Sequence, residues 1–284
     1  MIDAAGAGPG AARRAAVLGH PVAHSLSPVL HRAAYAGLGL SGWTYEAVDV
    51  DEPDLAGFVA GLDRSWAGLS LTMPLKQVAV PLCARLSPLA EALGVVNTLT
   101  FGADRSLTGD NTDVEGIVVA LRSAGVRTPT SATVVGGGAT AASAVAALGE
   151  MGCAAPRVLV RSVARAGAVT RAGERLGLSP RLVPLDAADG LDGDVVVSTL
   201  PAGAGDALVP AVPSSPGVLL DVVYAPWPTA LARAWAAAGG TVVSGFDMLL
   251  HQAVAQVRLM TGREPDVGAM RAAGLDELAR RAPR

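Results

Sequence analysis

The chain has 284 residues, 51% of them hydrophobic, with a formal charge of −3 at pH 7 and two cysteines. That length exceeds what one core ordinarily organises, so a two-domain α/β protein is expected. The mildly acidic balance excludes an electrostatic footprint for nucleic acid or anionic lipid, and Cys83 and Cys153 are too isolated for a disulfide framework or a metal knuckle.

Residues 1–14 are rich in Gly and Ala and lack the apolar core of a signal peptide, so they read as a partly disordered leader on a cytoplasmic protein. A strand is expected over 14–18, then a helix over 28–36 opened by Ser27-Pro28. Residues 43–50 read as a strand, 53–62 as a helix and 67–71 as a strand leading to Lys76. Strands over 95–101 and 107–109 complete this α/β unit, and a helix follows over 113–123. After the Thr128-Pro129-Thr130 connection, strands over 132–135, 157–160, 195–198, 218–222 and 241–243 alternate with helices. Repeated βαβ crossovers of this kind build a doubly wound parallel sheet. Beyond Gly245 comes a helical tail with apolar Met248, Leu249, Val254 and Val257. The uncharged stretch over 128–149 is long enough to raise a membrane span, but Gly136-Gly137-Gly138-Ala139-Thr140 at its centre reads as a turn between a buried strand and a helix.

That strand, glycine turn and helix start suit a dinucleotide, because the backbone approaches the pyrophosphate closely and the helix N-terminus points at it. A plain tight turn is the competing reading. The next strand ends in Arg161, Ser162 and Arg165 rather than in an acidic residue, which favours the 2′-phosphate of NADP over the ribose hydroxyl of NAD.

Polar types that are scarce elsewhere cluster in short segments. Lys76 is the single lysine against twenty-one arginines, which suggests a site needing a compact ammonium rather than a planar guanidinium. The only asparagines are Asn97 and Asn111. Ser25 and Ser27 put two hydroxyls at a helix start, a cradle for a carboxylate, although an N-cap alone would account for Ser27. Asp113 is either a helix N-cap or the carboxylate partner of Lys76. The histidines lack metal-ligand spacing.

Taken in order, these segments resemble those of the shikimate dehydrogenase family. The matches are H-S-x-S-P at 24–28, T-x-P-x-K at 72–76, V-N-T at 96–98 and G-D-N-T-D-x-x-G at 109–116, then the glycine turn, D-x-x-Y-x-P at 221–226 and M-L-x-x-Q-A at 248–253. The resemblance implies an N-terminal α/β substrate domain over 1–112, completed by C-terminal helices over 246–284, a Rossmann-type NADP domain over 113–245, and a cleft between them. It implies reversible NADP(H)-dependent reduction of 3-dehydroshikimate to shikimate. Lys76 and Asp113 would be the catalytic pair. Ser25 and Ser27 would bind the substrate carboxylate, Thr72, Asn97 and Gln252 its ring hydroxyls, and Tyr224 would close the pocket. Gly136, Gly137, Gly138 and Ala139 would pack the pyrophosphate, with Arg161, Ser162, Arg165, Thr199 and Gly245 completing the cofactor site. The chain departs from the family pattern at Ser70, where Asn is frequent, at Ala139, at Val160 and at Asp247. Rival implications are a quinate/shikimate or aminoshikimate-type enzyme, a folate-type dehydrogenase, and a catalytically silent NADP-binding sensor. Whether the chain acts alone or as a homodimer is left open.

Overall fold

A computed structural model describes residues 12–282. The expected leader lies outside the described residues as far as residue 11, and its last two positions, Arg13 and Arg14, begin a strand. The chain separates into two compact units: one runs to Thr112 and resumes at Gln252, the other is Asp113–His251.

The first unit contains β1 (Arg13–Gly19), α1 (Ser27–Gly37), β2 (Trp43–Asp49), α2 (Leu55–Ala60), β3 (Trp66–Leu71), β4 (Arg85–Leu86), α3 (Pro88–Leu93), β5 (Thr98–Phe101) and β6 (Leu107–Asp110). Its six strands are ordered β2-β1-β3-β5-β6-β4, with β2, β1 and β3 parallel and β5 antiparallel to both neighbours. Every residue of β3 is buried, as a strand covered on both faces requires. The helix expected over 53–62 starts instead with a 3-10 turn, Glu52–Asp54, because the Asp51 carboxylate accepts from the Glu52 N–H and turns the chain there. The strand expected from residue 95 begins only at Thr98, since the Val96 N–H is spent on the Lys76 carbonyl at 2.8 Å. Helix α3 has Ser87 as N-cap, Pro88 in its first turn and left-handed Gly94 at its end.

The second unit contains α4 (Asp113–Ser123), β7 (Ala132–Val135), α5 (Ala139–Glu150), β8 (Arg157–Val160), α6 (Gly167–Leu176), β9 (Arg181–Pro184), β10 (Val195–Ser198), β11 (Val218–Asp221), α7 (Ala230–Ala237) and β12 (Thr241–Ser244). All strands are parallel, ordered β12-β11-β10-β7-β8-β9, so the strand order reverses between β7 and β10. Ligands of such sheets bind outside the carboxyl ends of the strands at that reversal. The register aligns Val135, Ser198, Asp221 and Ser244 in one row at that edge. Residues Ala141 to Leu148 of α5 are all buried, and the small side chains let it sit between α4, α6 and the sheet.

Helix α8 (Gly245–Thr261) begins in the second unit and ends in the first, and α9 (Val267–Arg281) packs on α1. Among the described residues, no helix is long and apolar enough to cross a membrane.

Candidate functional site

In the first unit Ser25 lies in the loop from β1 to α1, and Ser27 stands where that loop enters the helix. Ser27 is the first residue of α1 rather than its N-cap; Leu26 occupies the cap and contributes no side-chain hydrogen bond. The Ser25 hydroxyl accepts from the Ser27 N–H at 3.2 Å. Two further contacts hold this loop: His31 Nδ1 donates to the Ser27 carbonyl at 2.9 Å, and Arg281 of α9 donates to the His24 carbonyl at 2.7 Å. His31 is fully buried, and burial lowers its pKa to about 4, so it is neutral, with its Nδ1 proton committed to Ser27.

Lys76 and Thr72 lie in the turn after β3. The Thr72 N–H donates to the Leu18 carbonyl at 2.9 Å, and fully buried Leu75 pins the turn beside half-buried Lys76. Asn97 is 1% exposed, and its carboxamide is tightly held. Its Oδ1 accepts from the Thr112 N–H and the Thr98 hydroxyl, each at 2.8 Å. Its Nδ2 donates to Thr112 Oγ1 at 3.0 Å and to Gln252 Oε1 at 3.5 Å. Asn97, Thr112 and Gln252, widely spaced in sequence, therefore meet in one buried cluster.

In the second unit Asp113 is buried as the first residue of α4, immediately after Thr112 in the chain. Tyr224 is half-buried in the loop after β11. That loop is tied by Asp221, whose carboxylate accepts from the Val223 N–H at 3.2 Å and from the Thr229 hydroxyl at 2.8 Å. Thr229 in turn caps α7 through the Ala232 N–H. Burial pushes the Asp221 carboxyl up, and these hydrogen bonds draw it partly back.

At the strand-order reversal, β7 passes through the glycine turn into α5. Gly136 has φ +120°, and a Cβ there would collide with the Thr199 hydroxyl, which donates to the Val135 carbonyl at 2.8 Å. Gly138 is the N-cap of α5 and has no side chain to occupy the first-turn amides; a Cβ built on it meets nothing within 4 Å. The end of β8 presents exposed Arg161 and Arg165 with half-buried Ser162 between them. Gly245 starts α8 against the Val222 carbonyl, where any Cβ would clash.

The family model described as "Shikimate dehydrogenase substrate binding domain" matches residues 17–99, and "Shikimate 5'-dehydrogenase C-terminal domain" matches residues 245–273. The chain is 41% identical over 266 residues to the Shikimate dehydrogenase (NADP(+)) of Rubrobacter xylanophilus, covering 90% of this chain and 93% of that protein. The chain belongs to the shikimate dehydrogenase family. Among solved members, the enzyme of Mycobacterium tuberculosis superposes with a TM-score of 0.86 at 38% identity, over 93% of this chain and 99% of that one. The Thermus thermophilus enzyme, solved in complex with NADP(H) and shikimate, gives 0.82 at 36% identity, again over 93% and 99%.

The residues present fit the dinucleotide of the shikimate dehydrogenase family. The open space at Gly138, the uncapped start of α5 and the two exposed guanidiniums match a group carrying a pyrophosphate and a further phosphate. Sequence reasoning missed the buried partners of Asn97, namely Thr112, Thr98 and Gln256. Thr98 and Thr112 stood inside the V-N-T and G-D-N-T-D-x-x-G motifs without being assigned a role, and Gln256 lies one helical turn beyond Gln252 on the same face of α8.

Proposed function

We propose that this member of the family is a shikimate dehydrogenase, catalysing the reversible NADPH-dependent reduction of 3-dehydroshikimate to shikimate within aromatic amino-acid (chorismate) biosynthesis. The observation that carries this reading is the hydrogen bond between Asn97 Nδ2 and Gln252 Oε1. It joins two residues, far apart in sequence, to which the family resemblance gives the ring hydroxyls, and a polyhydroxylated ring needs both their donors and their acceptors.

NADP(H), when bound, supplies or accepts the hydride. The chain's own residues do the rest. The Ser25 and Ser27 hydroxyls hold the substrate carboxylate. Thr72, Asn97 and Gln252 orient the ring, and Tyr224 covers it. Lys76 Nζ gives a proton to the developing alkoxide oxygen during reduction and takes it back during oxidation; Asp113 is the acidic member of the pair. Gly136, Gly137, Gly138 and Ala139 seat the pyrophosphate. Arg161, Ser162 and Arg165 hold the 2′-phosphate, and Thr199 and Gly245 border the rest of the cofactor. The free thiols Cys83 and Cys153 suit a reducing, cytoplasmic setting, in which the chain works alone or as a homodimer.

The test is a spectrophotometric assay of purified protein with shikimate and NADP⁺, run beside shikimate with NAD⁺ and quinate with NADP⁺. NADPH formed fast only in the first mixture is the expected result. Equal rates with quinate or NAD⁺ would replace this reading with the quinate/shikimate one, and silence in all three would remove it.

A further inference from the structure

Ser70, where the family frequently has Asn, turns its hydroxyl into the interior of the first unit. There it accepts from the Tyr45 hydroxyl at 2.6 Å and donates to Gln256 Oε1 at 2.8 Å. Gln256 Nε2 donates to Thr98 Oγ1 at 3.1 Å and to the Asn97 carbonyl at 3.3 Å, and the Thr98 hydroxyl donates to Asn97 Oδ1 at 2.8 Å. We propose that Tyr45, Ser70 and Gln256 are positioning residues: they form a one-way hydrogen-bond relay that fixes the Asn97 carboxamide for the substrate's ring hydroxyl.

The argument is one of donor counting. Thr98 has a single hydroxyl proton, and it goes to Asn97 when the Thr98 lone pairs face a donor, which is Gln256 Nε2. Gln256 presents Nε2 to Thr98 because its Oε1 is engaged by Ser70. Ser70 spends its one proton on Gln256 because its acceptor side takes the proton of Tyr45. Each hydroxyl is therefore oriented by the one before it, and bonds aligned in this way strengthen one another away from water. Tyr45, Ser70, Thr98, Asn97 and Gln256 are all buried, so no solvent competes for their protons. The source of the relay is itself clamped: the His31 ring stacks on Tyr45 at 3.9 Å, and Arg32 Nε donates to the Tyr45 carbonyl at 3.0 Å. A carboxamide turned by half a revolution would aim N–H at the Thr112 N–H, so the relay and Thr112 enforce the same orientation. Ser70 thus serves the substrate through Gln256 and Asn97.

The inference rests on the proposed role of Asn97, and its test separates the two. With two asparagines in the chain, the Asn97 and Asn111 side-chain amide signals are readily assigned by NMR. Tyr45→Phe and Gln256→Glu remove the first and the middle donor with little change of shape; a melting scan and the KM for NADP⁺ report that each variant is folded. The expected result is a displaced Asn97 side-chain amide pair with Asn111 unmoved. The KM for shikimate should rise about fivefold, the effect of losing roughly one hydrogen bond, while kcat stays within about twofold. Unmoved Asn97 signals in both folded variants overturn the relay whatever the substrate is. Moved signals with an unchanged KM, in an enzyme that turns over shikimate, overturn its role in binding. Moved signals in a protein silent toward shikimate uphold the relay and sink the functional reading alone.

Discussion

The two units build recognition from different materials. In the first, every group that the resemblance gives to the substrate is a side chain, and the best held, Asn97, is buried with its hydrogen bonds directed by neighbours. In the second, the features that the resemblance gives to the dinucleotide are main chain at Gly136 to Gly138, with open space at Gly138, flanked by two exposed arginines. A hydroxylated ring has to be matched atom by atom, and leaving one buried partner unpaired is costly. A pyrophosphate needs close backbone approach and a favourable dipole, which small residues provide without specific side chains.

The sharpest way to test that contrast is at Lys76. Lys76→Met should cut turnover by at least about 10²-fold, the lower range for general acid–base catalysis, with NADPH affinity retained by fluorescence titration. Near-normal turnover would end the assignment. Next comes the Arg161→Ala/Arg165→Ala double variant. Losing two solvent-facing guanidinium–phosphate contacts of about 1 kcal/mol each should reduce the preference for NADP⁺ over NAD⁺ by roughly 30-fold and leave the KM for shikimate unchanged. An unaltered preference would mean the arginines are ordinary surface charges. Gly136→Ala meets a φ of +120° and the Thr199 hydroxyl, and backbone strain of about 1–3 kcal/mol should raise the KM for NADP⁺ about tenfold. Equal damage to both substrates would blur the division between side-chain and main-chain sites.

The smallest effect is on stability. His31 titrates near 4 in the folded chain and near 6.5 when unfolded, so the unfolded chain takes up its proton first as pH falls. The stabilisation is complete above pH 6.5 and is lost between 6.5 and about 4, amounting to about 2 kcal/mol by pH 5. His31→Asn keeps a donor for Ser27 and does not titrate, so its Tm should fall less than that of the wild type between pH 7.5 and 5. Parallel curves would dismiss His31 as the source.

Most of the second unit was legible because its strands are short apolar runs between glycine or proline signals: β7, β8 and β10 fall where the sequence places them. The edge strands β4 and β9 were not read, and their partly exposed residues carry no apolar run. Helix α3 has its cap and proline in plain view but is only six residues long. In the site, rare residue types drew attention to Lys76 and Asn97, whereas Tyr45, in no motif, and Ser70, visible only as a departure from the family pattern, owe their proposed positioning role to contacts across 25 and 186 positions of sequence. Hydrogen-bond direction of that kind has no period or motif to read.

The tie between Arg281 and the His24 carbonyl spans 257 positions, and that between Gln256 and Ser70 spans 186. The second unit, by contrast, is a single uninterrupted stretch of chain. On the ribosome, domains fold as their residues emerge. The later-encoded unit thus has all its parts first, while the earlier-encoded one waits for residues 252–281 before its serine-bearing loop receives the Arg281 anchor. A stop codon or protease clip shortly before Arg281 would be felt at the opposite end of the polypeptide.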